Sequence, residues 1–493
     1  MKSIAIHAFW LSWWLLELLS TLFFVKPTTA FGSATYLSKR KRWQLLSRYN
    51  QGLLINGKHA INQTNSFKHL YVLGKSGSGK TTTFLLPNVI VNQGVSKVVF
   101  DPSSEIYNQT APYLKKSKVR VKLFDVSRVA ASLKYNPLAR ASNVSEMKKI
   151  AEIIICSAFP DTESGTSFWN NGAQSLLAIP IQALKESPIH EANLSEIRRF
   201  INMIGVEKEE DKLTRLILQA QSDSLLKEYL AFQAQEDKIK WGIVATVKAA
   251  LHKFADPQLA ELTSDDTITF EDLRKEPTVL FIRVPEEQVL YYSFLIALLY
   301  TDLFNFFMSL PQKGKPYLPV YMLMDEFANS SGKIPSFANI ITVLRKRKVS
   351  VSIVIQDLSQ LFKIYGKEDA LTILNGGISN QVILPGVSHE VSNELSAMLG
   401  QKTILHAEQS FGNTTVGREK EMARPLLTPD EIRCIPNDQL LFISGNSRPC
   451  LLKSYPYYSR WKMMKRIKQD NLLITLLGVC KVKLTRWLEG LGI

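Results

Sequence analysis

The sequence predicts an α/β fold, a parallel sheet covered by helices on both faces and interrupted by one all-helical insertion. Three observations carry this. Short, nearly continuous apolar runs of strand length recur along the chain, the signature of strands buried on both faces. Helical periods separate them, and that alternation implies a parallel sheet. Between about 143 and 265 the strand pattern stops and only helical periods remain.

Ile4 to Val25 is a 22-residue apolar run bearing Trp10, Trp13 and Trp14. At about 1.5 Å per residue it is long enough to span a hydrocarbon core of roughly 30 Å. His7 and Glu17 within it leave a helix lying in the interface as the alternative. Residues 26–65 read as a basic juxtamembrane linker containing Lys39-Arg40-Lys41-Arg42, with a hairpin edge at Gly52–Gly57. Cations after the run and only Lys2 before it place the body on the cytoplasmic side of a membrane. Strands are predicted at 70–73, 97–100, 119–126, 278–284, 319–324, 349–355, 380–384 and 439–444. Asn143 and Asn193, each followed three residues later by Glu, predict helix starts. Thr428-Pro429 predicts a third, with proline at the first helical position. The domain boundaries that follow are 66–184 with 265–455 for the sheet domain, 185–264 for the insertion and 456–493 for a basic amphipathic tail. The apolar piece 472–480 of that tail is too short to span a bilayer. A helix on a membrane surface and a helix packed on the body both fit it.

The length of 493 residues allows two or three domains. Four cysteines without C-x-x-C spacing argue against a metal site or a disulfide framework. The net charge of +16 is concentrated at the ends. Residues 18–100 carry +11 with no acid, residues 451–493 carry +7, and residues 101–450 sum to −2. A uniformly basic, nucleic-acid-coating body is therefore excluded. Basic ends fit anionic headgroups at least as well.

Gly74-Lys75-Ser76-Gly77-Ser78-Gly79-Lys80-Thr81 matches the phosphate-binding loop G-x-x-x-x-G-K-[ST], between a strand and a helix that opens at Thr82. Its glycines let backbone N–H groups converge on phosphate oxygens. Lys80 would reach the β- and γ-phosphates, and the Thr81 hydroxyl would ligate Mg²⁺. Val320 to Met324 followed by Asp325-Glu326 supplies the second half of such a site. Asp325 would hold Mg²⁺ and Glu326 would polarise the attacking water. Gln356 closes the strand 349–355, where an amide would sense the γ-phosphate or orient water, or simply end the strand. Arg345-Lys346-Arg347-Lys348 reads either as a solvated face or as an arginine finger donated to a neighbour.

The motif order resembles the type IV coupling proteins, ring ATPases of conjugation and type IV secretion. The resemblance runs from about Gly32 to Tyr458. It rests on Gly32-Ser33-Ala34, Phe100-Asp101-Pro102-Ser103-Ser104-Glu105, Tyr135-Asn136-Pro137-Leu138 and Phe168-Trp169. Further pieces are Met324 to Asn329, Gln356 to Leu361 and Arg424 to Ile432. It implies a RecA/FtsK-like P-loop NTPase domain with an all-alpha insertion and a membrane anchor, and that the membrane is the bacterial inner membrane, with most of the chain in the cytoplasm. It also implies ATP and Mg²⁺ as cofactors, a homo-hexamer, and non-sequence-specific binding of single-stranded DNA. The expected partners are the relaxase or relaxosome and the secretion channel proteins. Arg345 sits nearest the family's intersubunit arginine, with Arg347 the other choice. The DNA path would be local, in loops such as Arg345–Lys348 or Lys238–Lys240. Many members carry two transmembrane helices, whereas this sequence has room for one. Two rival readings are an FtsK-like double-stranded DNA translocase and a nucleotide-gated receptor for protein cargo to which DNA is incidental.

Overall fold

A computed structural model describes residues 29–159, 167–187, 189–205, 212–220, 222–311, 317–330, 332–407 and 419–467. The predicted membrane run 4–25 and the tail from 468 onward lie outside these residues. The chain forms two compact units.

The larger unit, Ser38–Val387 with Ile435 onward, holds a nine-stranded sheet. Its strands are β1 (Leu70–Leu73), β2 (Ser96–Phe100), β3 (Arg120–Asp125), β4 (Thr278–Arg283), β5 (Val320–Met324), β6 (Val349–Ile355), β7 (Asn380–Ile383), β10 (Gln439–Ser444) and β11 (Cys450–Lys453). They lie in the order β11-β10-β7-β1-β6-β5-β2-β4-β3. From β7 to β3 every pairing is parallel, with Val72 of β1 set between Val354 and Val382. Every residue of β1, β2, β4, β5 and β6 is buried, which is why those segments read as unbroken apolar runs. All eight predicted strands are present. The prediction of a parallel sheet needs one correction. β10 runs antiparallel to β7, and β11 antiparallel to β10, so that edge is a hairpin. β11 is four residues long, with an exposed end, and gives almost no periodic signal.

Between β3 and β4 the described residues contain helices and no strand. The principal ones are Val144–Ala158, Ser167–Glu186, Leu194–Met203, Lys212–Gln219, Asp223–Gln233 and Asp237–Ala250. Asn143 and Asn193 cap their helices as predicted, accepting from the N–H of Glu146 and Glu196 at 3.0 and 2.9 Å. Tyr135 fastens the start of this stretch to the sheet-covering helix Val289–Ser309 by donating its hydroxyl to Asp302 at 2.6 Å. Among the described residues only this helix is long and apolar enough to cross a membrane, and 67% of its most apolar window is buried within the protein. The expected hairpin edge at 52–57 is present as a short hairpin with an antiparallel bridge between Leu54 and Ala60, closed by Ile55 N–H to His59 O at 2.9 Å and held by Asn88 on both polar groups of Leu54.

The smaller unit comprises Ser388–Cys434 with the residues up to Leu37. It contains a helix, His389–Leu399, an antiparallel pair, β8 (Gln401–Ala407) and β9 (Glu419–Pro425), and the predicted helix Pro429–Arg433. The pair is not predicted from the sequence. Its strands are short and mostly polar, each opens with three polar residues in a row, and neither shows a regular alternation.

Candidate nucleotide-binding site

Four adjacent strands, β1, β6, β5 and β2, end on the same edge of the sheet, and each delivers part of one site. In an open parallel sheet this C-terminal edge is where ligands sit. β1 leads into the glycine loop. Gly77 and Gly79 take φ of 78° and 94°, values that side-chain-bearing residues rarely adopt, and these turn the loop's N–H groups inward. The helix after it opens as a wide π turn over Lys80–Leu85, in which Leu86 N–H donates to Thr81 O, before Leu86–Ile90 becomes α-helical. Pro87 has no N–H to give a carbonyl of the preceding turn, which accounts for the wider register there.

Lys80 Nζ donates to the carbonyls of Gly74 and Lys75 at 2.7 and 3.0 Å, closing the loop on itself. Burial lowers its pKa, while Asp325 and Glu326 oppose that shift. Asp325 directly follows β5 and is 8% exposed. Burial, reinforced by the charge of Glu326, pushes its carboxyl up to about 7, with Lys80 pulling the other way. Glu326 has a left-handed backbone, φ 47°, a strained geometry for a residue with a side chain. Its N–H donates to Asp325 Oδ1 at 3.0 Å, and its carboxylate accepts from Gln356 Nε2 at 2.9 Å. The end of β6 thus orients the acid at the end of β5.

These residues share a cavity of about 560 Å³ with Ser76 to Thr83. Its other walls include Pro102, Ser103, Glu105, Glu286, Asn437, Ser454 and Tyr458. Asp101, fully buried after β2, shapes the wall by accepting from the N–H groups of Ile106 and Tyr107 at 3.3 and 2.7 Å. Asn437, Ser454 and Tyr458 are absent from the sequence reading. They are brought in by the β10–β11 hairpin, whose second strand the sequence does not reveal.

Arg345 is not in this cavity. It lies in the turn Arg345–Arg347 before β6, at the opposite edge of the sheet and one strand length away, about 20 Å. There it lines a recess of about 490 Å³ with Lys68, Asn65, Ser379, Ser444 and Ser447. Its side chain is exposed. Arg347 is committed elsewhere, donating Nε and Nη2 to Met308 O at 3.2 and 3.0 Å. The motif from Arg424 to Ile432 is architectural within the smaller unit. Arg424 pairs with Glu431 at 2.7 Å, and Thr428 and Glu431 form a reciprocal capping box.

Residues 27–476 match the family described as Type IV secretory system Conjugative DNA transfer. The chain belongs to that family. It is 23% identical over 426 residues to Protein VirD4 of Rhizobium radiobacter, covering 82% of this chain and 59% of that protein. The chain therefore spans about three fifths of the length of that relative. Its fold is similar to that of the plasmid coupling protein TrwB solved with the non-hydrolysable ATP analogue ADPNP. There the TM-score is 0.67 with 18% identity, covering 87% of this chain and 95% of TrwB. TrwB solved with ADP and Mg²⁺ aligns with a TM-score of 0.65 and 19% identity, covering 86% and 96%.

Among the described residues, no group of three or more His, Cys, Asp or Glu could hold a metal ion by itself. One buried carboxylate beside a threonine hydroxyl is instead a hard-oxygen set that suits Mg²⁺ arriving with phosphates.

Proposed function

We propose that this family member is a membrane-anchored, hexameric ring ATPase. It would couple a relaxase–DNA complex to the type IV secretion channel and drive or gate the passage of single-stranded DNA. The observation that carries the reading is the junction of Lys80, Asp325, Glu326 and Gln356 in one cavity, with Arg345 held at the far edge of the same sheet. In this reading one subunit supplies the phosphate loop, the Mg²⁺ carboxylate and the water-activating acid, and the exposed Arg345 would be the cation given to a neighbour.

ATP would bind on the loop Gly74–Thr82, where the N–H groups and Lys80 take the phosphates, Lys80 exchanging its two loop carbonyls for phosphate oxygens. Thr81 and Asp325 would hold Mg²⁺, and burial of the Asp325 charge, costly in isolation, is relieved beside a cation. Bound Mg²⁺ supplies neutralisation of charge on the β- and γ-phosphate oxygens. Glu326, oriented by Gln356, accepts the proton of the attacking water. Arg345 of one subunit would complete the site of its neighbour.

The test is ATP hydrolysis by the full chain in detergent, with and without single-stranded DNA, beside Lys80→Ala. Stimulation by DNA that the substitution abolishes supports the reading. Hydrolysis indifferent to DNA but raised by relaxase alone contradicts it and favours a receptor for protein cargo.

A further inference from the structure

We infer that the two ends of the chain build one basic, tryptophan-bearing face that rests on an anionic phospholipid surface. Its cations and tryptophans are not among the residues lining the nucleotide cavity, and it does not require residues 4–25 to span the bilayer.

The helix Lys39–Leu45 opens with four successive cations, has no acid in its first turn and buries no residue. Trp43 on it is 69% exposed. The chain then locks onto the loop 52–61, with Ser47 N–H to Ala60 O at 3.0 Å and Ala60 N–H to Ser47 O at 2.9 Å. The far end of the chain reaches the same loop. Asn56 Nδ2 donates to Lys453 O at 2.7 Å, Tyr455 N–H donates to Asn56 O at 2.9 Å, and Arg460 donates to Gly57 O. Gly57, at φ 78°, is what allows this approach, because a Cβ there would stand 2.0 Å from Tyr455 O.

The loop thus gathers cations from distant parts of the sequence. Arg42, Arg48, Lys58 and Arg460 all act on the His59 ring, and Lys58 Nζ lies 4.8 Å from the centre of the Tyr455 ring. None of these four cations forms an ion pair among the described residues. Asp438, beside the last strand, is taken by Lys453 at 3.8 Å. From Arg460 the chain enters the helix Trp461–Ile467. This helix turns Met463, Met464 and Ile467 inward and leaves Trp461, Lys462, Lys465 and Arg466 exposed, Trp461 at 50%.

Uncompensated cations seek fixed anions, and indole rings favour the headgroup layer. Each Lys or Arg near an anionic membrane strengthens partitioning about fivefold. A nucleic acid would also accept the cations. However, apolar runs lie 13 and 4 residues beyond these helices in the sequence, at 4–25 and 472–480, and those suit lipid.

The test uses the full chain in nanodiscs of phosphatidylcholine alone or with phosphatidylglycerol, and reads hydrogen exchange in peptides covering 39–45 and 461–467. Phosphatidylglycerol should slow exchange in both by about tenfold or more, an effect lost in high salt. The double reversal Lys462→Glu with Lys465→Glu should remove the protection of 461–467 while β6 stays protected. If the reversal also exposes β6, the neutral pair Lys462→Gln with Lys465→Gln replaces it. Equal exchange in the two lipids would overturn the proposal. Protection by a single-stranded oligonucleotide but not by phosphatidylglycerol would also overturn it and assign the face to nucleic acid.

Discussion

The two edges of the central sheet differ in kind. At the C-terminal edge the polar groups are at least half-buried and bonded within the site: Lys80 to its own loop, Glu326 to Asp325 and Gln356. At the N-terminal edge Arg345 and Lys68 face a polar recess whose lining includes no carboxylate. The first edge is a finished binding surface and the second offers charge without a recipient. The same strand, β6, carries an amide bonded to Glu326 just past one end and an exposed arginine just before the other, and the proposed division of the site between subunits rests on that contrast.

Five predictions sharpen or break that contrast. The largest effect should come from Arg345→Ala, which is expected to lower turnover by about 10³-fold or more without changing the melting temperature. Arg347→Ala should do the reverse. It leaves Met308 O without its donor and lowers stability by about 1–3 kcal/mol, measured by denaturant unfolding, with turnover per folded molecule retained. Equal losses of turnover in both variants would erase the distinction between them. At the other edge, Glu326→Gln is expected to lower turnover by about 10²-fold or more while nucleotide still binds, as followed by a fluorescent analogue.

The fourth prediction concerns pH. His69 immediately precedes β1, is almost fully buried and accepts from Val351 N–H at 3.0 Å through Nδ1, which requires a neutral ring. Burial holds its pKa down at about 4. A lowered folded value means that the stabilisation is fully present above about 6.5, the unfolded value, and is lost as pH falls toward 4. The loss should reach about 3 kcal/mol in a pH series of unfolding curves and be largely absent in His69→Gln. The smallest effect belongs to Gln356→Ala. Because Gln356 only orients Glu326, kcat should fall about tenfold with KM little changed, and Gln356→Glu should not rescue it.

The sheet was legible because its strands are buried on both faces, so burial and sequence carry the same signal. The loop Gly74–Thr81 and the pair Asp325-Glu326 were legible because their chemistry demands particular residues at fixed spacing. Asn437, Ser454 and Tyr458 were not. They reach the cavity through a hairpin whose second strand is four residues long, and nothing local marks an ordinary polar residue as a wall. The choice between Arg345 and Arg347 was open in sequence because two arginines two apart look alike. Their surroundings differ in the fold, where Arg347 donates to the carbonyl of Met308 near a helix end and Arg345 is exposed, and the proposal of Arg345 rests on that difference. The Arg424–Ile432 motif shows the converse. Its residues are among the most distinctive in the chain, and they cap a short helix.

The central claim is that the site is divided between subunits, and mixing tests it most directly. Lys80→Ala subunits keep Arg345, and Arg345→Ala subunits keep Lys80. Each should be inactive alone. Combined, they should recover a substantial share of wild-type ATP hydrolysis, because some interfaces join an intact nucleotide loop to an intact arginine. A mixture as inactive as its components, in a preparation shown to contain mixed assemblies, would contradict the account and return Arg345 to a role within its own chain.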